Sequence, residues 1–115
     1  MLTVEGLRAY GANADEGLAR CFNNEAFYLR LVGMGLADPN FDRLREAMAA
    51  DDAKTAFEAA HALKGSTGNL ALTPIFTPVC ALTERLRGQD GIAPEARALA
   101  DEILAQLDRA RRLAE

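Results

Sequence analysis

The chain has 115 residues, enough for one domain of ordinary size and too few for a second hydrophobic core. Half are hydrophobic and 26% charged, a balance that sets aside disordered and membrane-embedded classes. Its net charge is −4 and its basic residues are scattered rather than striped, which argues against nucleic acid, whose phosphate backbone requires a basic face.

Helical periodicity runs through the chain and no strand alternation interrupts it, so the expected fold class is all-α. Thr3 can cap a short first helix ending at Gly11, and Asp15 to Cys21 forms a second short turn. Leu7, Tyr10, Leu18 and Phe22 are the residues of this segment expected to cover an open end of the core. Asn24 is the cap of the next helix, with Glu25 in its first turn and Phe27, Tyr28, Leu31 and Leu36 as its apolar face. Asp38-Pro39 ends that helix and opens another, because proline suits a first turn and cannot continue the preceding helix. Phe41, Leu44, Ala47 and Met48 form its buried stripe.

Asp51 or Asp52 caps a segment over about 52–70, and Thr73-Pro74 opens the next, with Ile75, Val79, Leu82 and Leu86 inward. Pro78 leaves two possibilities: the helix starts there behind Thr77, or it is kinked one turn after Pro74. Gly88 to Gly91 is a turn. Pro94 then starts a last helix whose inner face is Ala96, Leu99, Ile103, Leu107 and Ala110, with Arg109, Arg111 and Arg112 suiting the dipole of its final turns. Segments this short must pack on one another, and short loops favour antiparallel neighbours. Cys21 and Cys80 lack metal-ligand spacing and are expected as buried or half-buried free thiols. With no apolar run of bilayer length and no basic-then-apolar leader, a cytoplasmic location is expected.

The stretch that carries chemistry is Ala60-His61-Ala62-Leu63-Lys64-Gly65-Ser66-Thr67-Gly68-Asn69-Leu70, around the only histidine. At about 100° per residue, Ala53, Ala56, Ala60, Leu63 and Thr67 share the packed face of the helix. His61 falls on its shoulder, with Lys64, Gly65 and Gly68 one and two turns on. Each glycine costs about 1 kcal/mol relative to alanine inside a helix. Two of them here leave a clearing through which a partner could bring an electrophile to the imidazole. Lys64 would disfavour the imidazolium before reaction and stabilise a phosphoryl dianion after it. The alternative is a half-exposed surface histidine in a helix that happens to contain glycines. Gly65-Ser66-Thr67-Gly68 is not a phosphate-binding loop, since the Gly-Lys-Ser/Thr ending and a preceding strand are missing. Ser66 and Thr67 read as small helix residues.

These residues resemble the signature of the histidine phosphotransfer (HPt) family of two-component phosphorelays: Ala-His-x-Leu-Lys-Gly, small residues, then Asn-Leu/Ile-Gly. Phe57 before the motif, Cys80, Leu82 and Glu84 after it, and Leu31 to Phe41 extend the resemblance over essentially the whole chain. It implies an antiparallel four-helix, up-and-down bundle with short N-terminal lid helices, as one domain over 1–115 (lid about 1–22, bundle about 24–114). His61 would accept phosphate at Nε2 from a receiver-domain aspartate and pass it to another, with Lys64 and Gly65 as the matching lysine and glycine and Gly68 and Thr83 as further supporting residues. The implied partners are a response-regulator receiver domain and a hybrid sensor histidine kinase, without nucleic acid or membrane, and with the chain as a monomer. No cofactor is implied on this chain; Mg²⁺ would belong to the receiver.

The sequence departs from the pattern at three places: Thr83 stands where many members have a glutamine that bonds near the histidine, Ala71 replaces the usual glycine, and Pro78 is unusual. One histidine without a second general base, metal cluster or nucleotide loop indicates a carrier, not an enzyme with turnover. The competing reading is a helical module that binds or inhibits a receiver or kinase without taking phosphate. A hydrolase is disfavoured because Glu58, Asp51 and Asp52 read as exposed face and caps. The dimerisation helix of a kinase is disfavoured because Ala62 stands where an acid usually follows the histidine.

Overall fold

The computed structural model describes residues 1–115 as all-helical, with no strand. The elements are α1 (Val4–Tyr10), α2 (Ala14–Arg20), α3 (Glu25–Leu36), α4 (Asn40–Ala49), α5 (Ala53–Asn69), α6 (Thr73–Leu86) and α7 (Pro94–Arg112). Side-chain caps set most of the starts, because the first turn of a helix has backbone N–H groups without intrahelical acceptors. Thr3 accepts from Gly6, Asn24 from Phe27 and Asp52 from Thr55. The cap of α5 is thus Asp52. At α2 the cap is Asn13, which accepts from the Glu16 N–H and starts the helix one residue before Asp15. Pro39 caps α4 without a side-chain bond, while Asp38 Oδ1 accepts from Asn40 at 2.8 Å. Pro78 does not start a helix: it lies inside α6, which runs unbroken from Thr73.

Four helices end in the same way. The residue after the last full turn takes a left-handed conformation, and the next N–H reaches back to a carbonyl five residues earlier. The bonds are Ala12 to Leu7, Asn23 to Leu18, Asp52 to Ala47 and Leu72 to Thr67. Glycine fills the left-handed position only in the first, as Gly11; Phe22, Asp51 and Ala71 fill the others at φ of 57°, 55° and 57°. Alanine at residue 71 therefore occupies a conformation that glycine adopts without steric cost.

Helices α4 to α7 close on one another. Arg43 of α4 faces Glu58 of α5, Gly68 near the end of α5 meets Phe76 near the start of α6, and Phe57 near the start of α5 meets Arg87 just past α6. Arg97 at the start of α7 donates to the Met48 carbonyl at the end of α4 and to Asp51. The α5–α6 pair, in contact at both ends, therefore runs antiparallel. The core is built on the alanine face of α5, where Ala56, Ala59, Ala60 and Leu63 are fully buried; small side chains let α4 and α6 approach closely. The expected stripes of α4 and α6 are buried as predicted. On α7, Ala96, Ile103, Leu107 and Ala110 are buried with Ala100, while Leu99 is only partly covered.

On α3 the buried residues are Tyr28, Val32 and Leu36: of the expected face Tyr28 and Leu36 are buried and Leu31 is half-buried, while Phe27 is 38% exposed and Val32 takes its place. The face turns with Tyr28, whose ring lies over Gly17 and whose hydroxyl donates to the Leu70 carbonyl at 2.9 Å. In the N-terminal segment Leu7 is buried and Tyr10 and Leu18 pack partly on the core. Phe22 does not: it projects into solvent, 89% exposed.

The N-terminal segment is fastened to the end of α5 by a row of donors. Arg20 Nη1 donates to the carbonyls of Gly68 and Asn69, Tyr28 to that of Leu70, and the Asn13 N–H to that of Ala71. Four successive carbonyls, two in the last turn of α5 and two just past it, thus find partners, and those of Gly68 and Asn69 lie where a helix lacks intrahelical donors and carries partial negative charge.

Candidate functional site

The buried alanine face of α5 fixes the azimuth of every other residue on that helix. His61 follows Ala60, which is fully buried, and emerges exposed on the shoulder. Its imidazole makes an aromatic contact with Phe57, four residues back on the same helix, with ring centroids 5.8 Å apart and planes inclined by 30°. Beside it opens a depression of about 640 Å³ that also takes in Lys64, Gly65 and Gly68. Four of the five residues singled out from the sequence therefore meet on one surface.

The two glycines act differently. A Cβ at Gly65 would meet nothing within 4 Å, so its absence keeps space open beside the histidine. A Cβ at Gly68 would stand 2.9 Å from Phe76 Cε1, so that glycine lets the ring of α6 pack against α5. The clearing expected from both residues is made by Gly65; Gly68 is a contact between helices.

Thr83 is not part of this surface. It is fully buried, and its hydroxyl donates to the Val79 carbonyl of its own helix at 2.8 Å. The packing of α6 turns Ile75, Val79, Leu82 and Leu86 inward, and Thr83 turns with them. The sequence expectation of a hydroxyl near His61 is corrected on that ground.

Two residues of α2 reach the depression and were not foreseen: Arg20, which spans to α5, and Glu16, paired with Arg20 one turn away. Their only sequence signal is the i,i+4 spacing of opposite charges, which does not reveal a contact across 48 residues. On the other side, the Glu84 carboxyl lies below the ordinary glutamate range. The hydrogen bond from Arg87 is the main cause, followed by the charge of Arg87 and, more weakly, that of Lys64. No group of three or more His, Cys, Asp or Glu side chains converges anywhere to hold a metal. Cys21 is buried and Cys80 half-buried, both as free thiols.

A protein-family model described as the Hpt domain matches residues 36–113, more than half of the chain. The chain belongs to the Hpt domain family. Neither a curated protein nor a solved structure matches it. An Hpt domain is a phosphocarrier module of two-component signalling, and its partners are receiver domains and kinases. The match starts at Leu36, the last residue of α3, and so covers α4 to α7 and the whole histidine surface of this Hpt domain. The helices that supply Arg20 and Tyr28 lie outside it, which narrows the whole-chain resemblance read from the sequence. No helix of the Hpt domain is long and apolar enough to cross a membrane.

Proposed function

We propose that this Hpt domain carries a phosphoryl group on His61, taking it from the aspartyl phosphate of one receiver domain and delivering it to the aspartate of another. The observation that supports this reading is the sole histidine, exposed beside an open depression, with Gly65 leaving one side clear and Lys64 one turn away. In the first step the Nε2 lone pair of the neutral imidazole, its proton on Nδ1, attacks phosphorus. The P–N bond forms as the P–O bond to the aspartate breaks, and the aspartate leaves as a carboxylate. Delivery is the same exchange reversed. Neither direction requires a proton to be removed, so the chain needs no general base and has no turnover of its own.

In this account Lys64 balances the charge of the phosphoryl dianion, Gly65 admits the partner, and Gly68 keeps the helix pair in register. Mg²⁺ belongs to the receiver, and the chain takes no cofactor. The partners are a response-regulator receiver and a hybrid sensor histidine kinase, met by a monomer in the cytoplasm. The same reading treats α4 to α7, preceded by α3, as an antiparallel four-helix bundle over about 24–114, and residues 1–22 as its lid.

One observation favours a second reading, a module that binds a receiver without taking phosphate: Thr83 gives the histidine no support from α6. Receiver domains charged by a small phosphodonor in Mg²⁺ separate the two. The carrier reading expects acid-labile, base-stable phosphate on the wild type, none on His61→Gln, and several-fold less on Lys64→Ala. A receiver that binds wild type and His61→Gln equally, with no phosphate moving, would overturn it in favour of the binding module.

A further inference from the structure

An exposed imidazole turns easily, because the second torsion of histidine has a broad, shallow profile. For one nitrogen to face an incoming phosphoryl group, something must hold the ring. A functional histidine is often held by a bond from its other nitrogen to a carbonyl or carboxylate. On α6, Thr83 is not available for such a role, since its hydroxyl is buried and bonded to Val79. The neighbour that the ring does have is Phe57, with centroids 5.8 Å apart and planes 30° from parallel.

Phe57 is itself held. The Arg87 guanidinium carbon lies 5.2 Å from the Phe57 ring centroid, within cation–π range. Arg87 is in turn gripped by Glu84, whose two carboxylate oxygens accept from its Nε and Nη2 at 3.2 Å each. The side chains of Arg87 and Glu84 are 54% and 62% exposed, so this is not core packing. A chain of contacts thus runs Glu84–Arg87–Phe57–His61, from the end of α6 to the histidine on α5.

We infer that Arg87 is a positioning residue for phosphoryl transfer: held by Glu84, it fixes the Phe57 ring as the wall against which the His61 imidazole is oriented. The inference rests on His61 being the phosphoryl carrier, and it names what sets the direction of its nucleophilic nitrogen. Phe57 is half-buried, with its inner side packed on the core; without the cation the ring loses the contact that restrains its outer part, and the wall beside the imidazole loosens.

With one histidine in the chain, its ring protons are unambiguous in the NMR spectrum of the intact protein. Phe57→Leu is expected to abolish the ring-current shift of the His61 protons, Arg87→Gln to reduce it, and Arg87→Lys to restore part of it. With saturating charged receiver, the single-turnover transfer rate is expected to fall about fivefold in Phe57→Leu and about threefold in Arg87→Gln. Receiver affinity and thermal midpoint should hold in Arg87→Gln. Unchanged His61 signals in Arg87→Gln overturn the inference. So does a loss that appears as weaker receiver binding at an unchanged saturated rate, which would make Arg87 a docking residue. If the wild type takes no phosphate, the carrier reading fails separately, while the NMR comparison still decides whether the wall exists.

Discussion

At the scale of single residues, the histidine surface depends on what is missing as much as on what is present. Gly65 faces open space, so Gly65→Ala should raise stability by about 1 kcal/mol through helix propensity alone. The same methyl group would stand where a partner must approach, and phosphoryl transfer should fall. Thermal unfolding and a transfer assay on one sample check both signs. Gly68→Ala should show no such gain, because Phe76 must move to admit the methyl group. Ala71 is a separate case. It holds a left-handed conformation at φ 57°, and Ala71→Gly should stabilise the chain by about 1 kcal/mol, read as a shift in the denaturation midpoint. The departure from the family pattern at this position puts a local strain in a turn whose bond from Leu72 to Thr67 forms at 3.0 Å. Nothing in the structure accounts for phenylalanine at the equivalent position of α2.

At the scale of elements, the helices whose signals are local were legible in the sequence. Thr3, Asn24 and Asp38-Pro39 mark their boundaries through capping and proline chemistry, which act within four residues. The apolar stripe of α4 is buried as read, because its polar face leaves one possible phase. In α3, Phe27, Tyr28, Leu29, Leu31 and Val32 offer several phases, and the choice falls to Tyr28 because Gly17 and the Leu70 carbonyl receive it. Thr83 was placed by counting along α6, yet its direction depends on how α6 rolls against its neighbours. Pro78 was ambiguous for a related reason: tertiary packing decides whether a helix tolerates a proline. The docking of the N-terminal segment was not legible at all, since its donors meet carbonyls more than forty residues away.

That docking is testable in two ways. Arg20→Ala removes donors from the Gly68 and Asn69 carbonyls and should cost about 1 kcal/mol. Amide exchange should show the loss as faster opening at the end of α5. Tyr10 anchors α1 to α7 through a bond from its hydroxyl to the Gln106 carbonyl at 2.9 Å. Burial is the main reason its phenol is pushed up to about 12, with the charge of Glu102 adding and that of Arg109 opposing. Between the ordinary phenol value of 10.0 and that level, the unfolded chain has released a proton that the folded chain keeps. Stability should therefore be intact below about pH 10 and decline as the pH rises toward 12. Denaturant midpoints across this range should fall less steeply in Tyr10→Phe.

At the scale of the whole molecule, the division of labour follows from the packing. Alanines on α5 bring its neighbours close and leave one shoulder of that helix uncovered, and the histidine stands on that shoulder. The family match covers α4 to α7, whereas the N-terminal helices outside it hold the end of α5 by its carbonyls. The site was legible because glycine and lysine at helical spacing around a lone histidine are a local pattern. What holds the imidazole was not, because Arg87 lies 26 residues beyond His61 and reaches it only through Phe57.

The central claim is that His61 passes a phosphoryl group onward and does not merely bind a partner. The most direct measurement is discharge: the chain is phosphorylated by one receiver, purified from it, and mixed with a second, uncharged receiver in Mg²⁺. The account predicts that phosphate leaves His61 and appears on the aspartate of the second receiver, in amounts that match. Phosphate that stays on the chain with every receiver, or that forms on His61→Gln as readily as on the wild type, would contradict it.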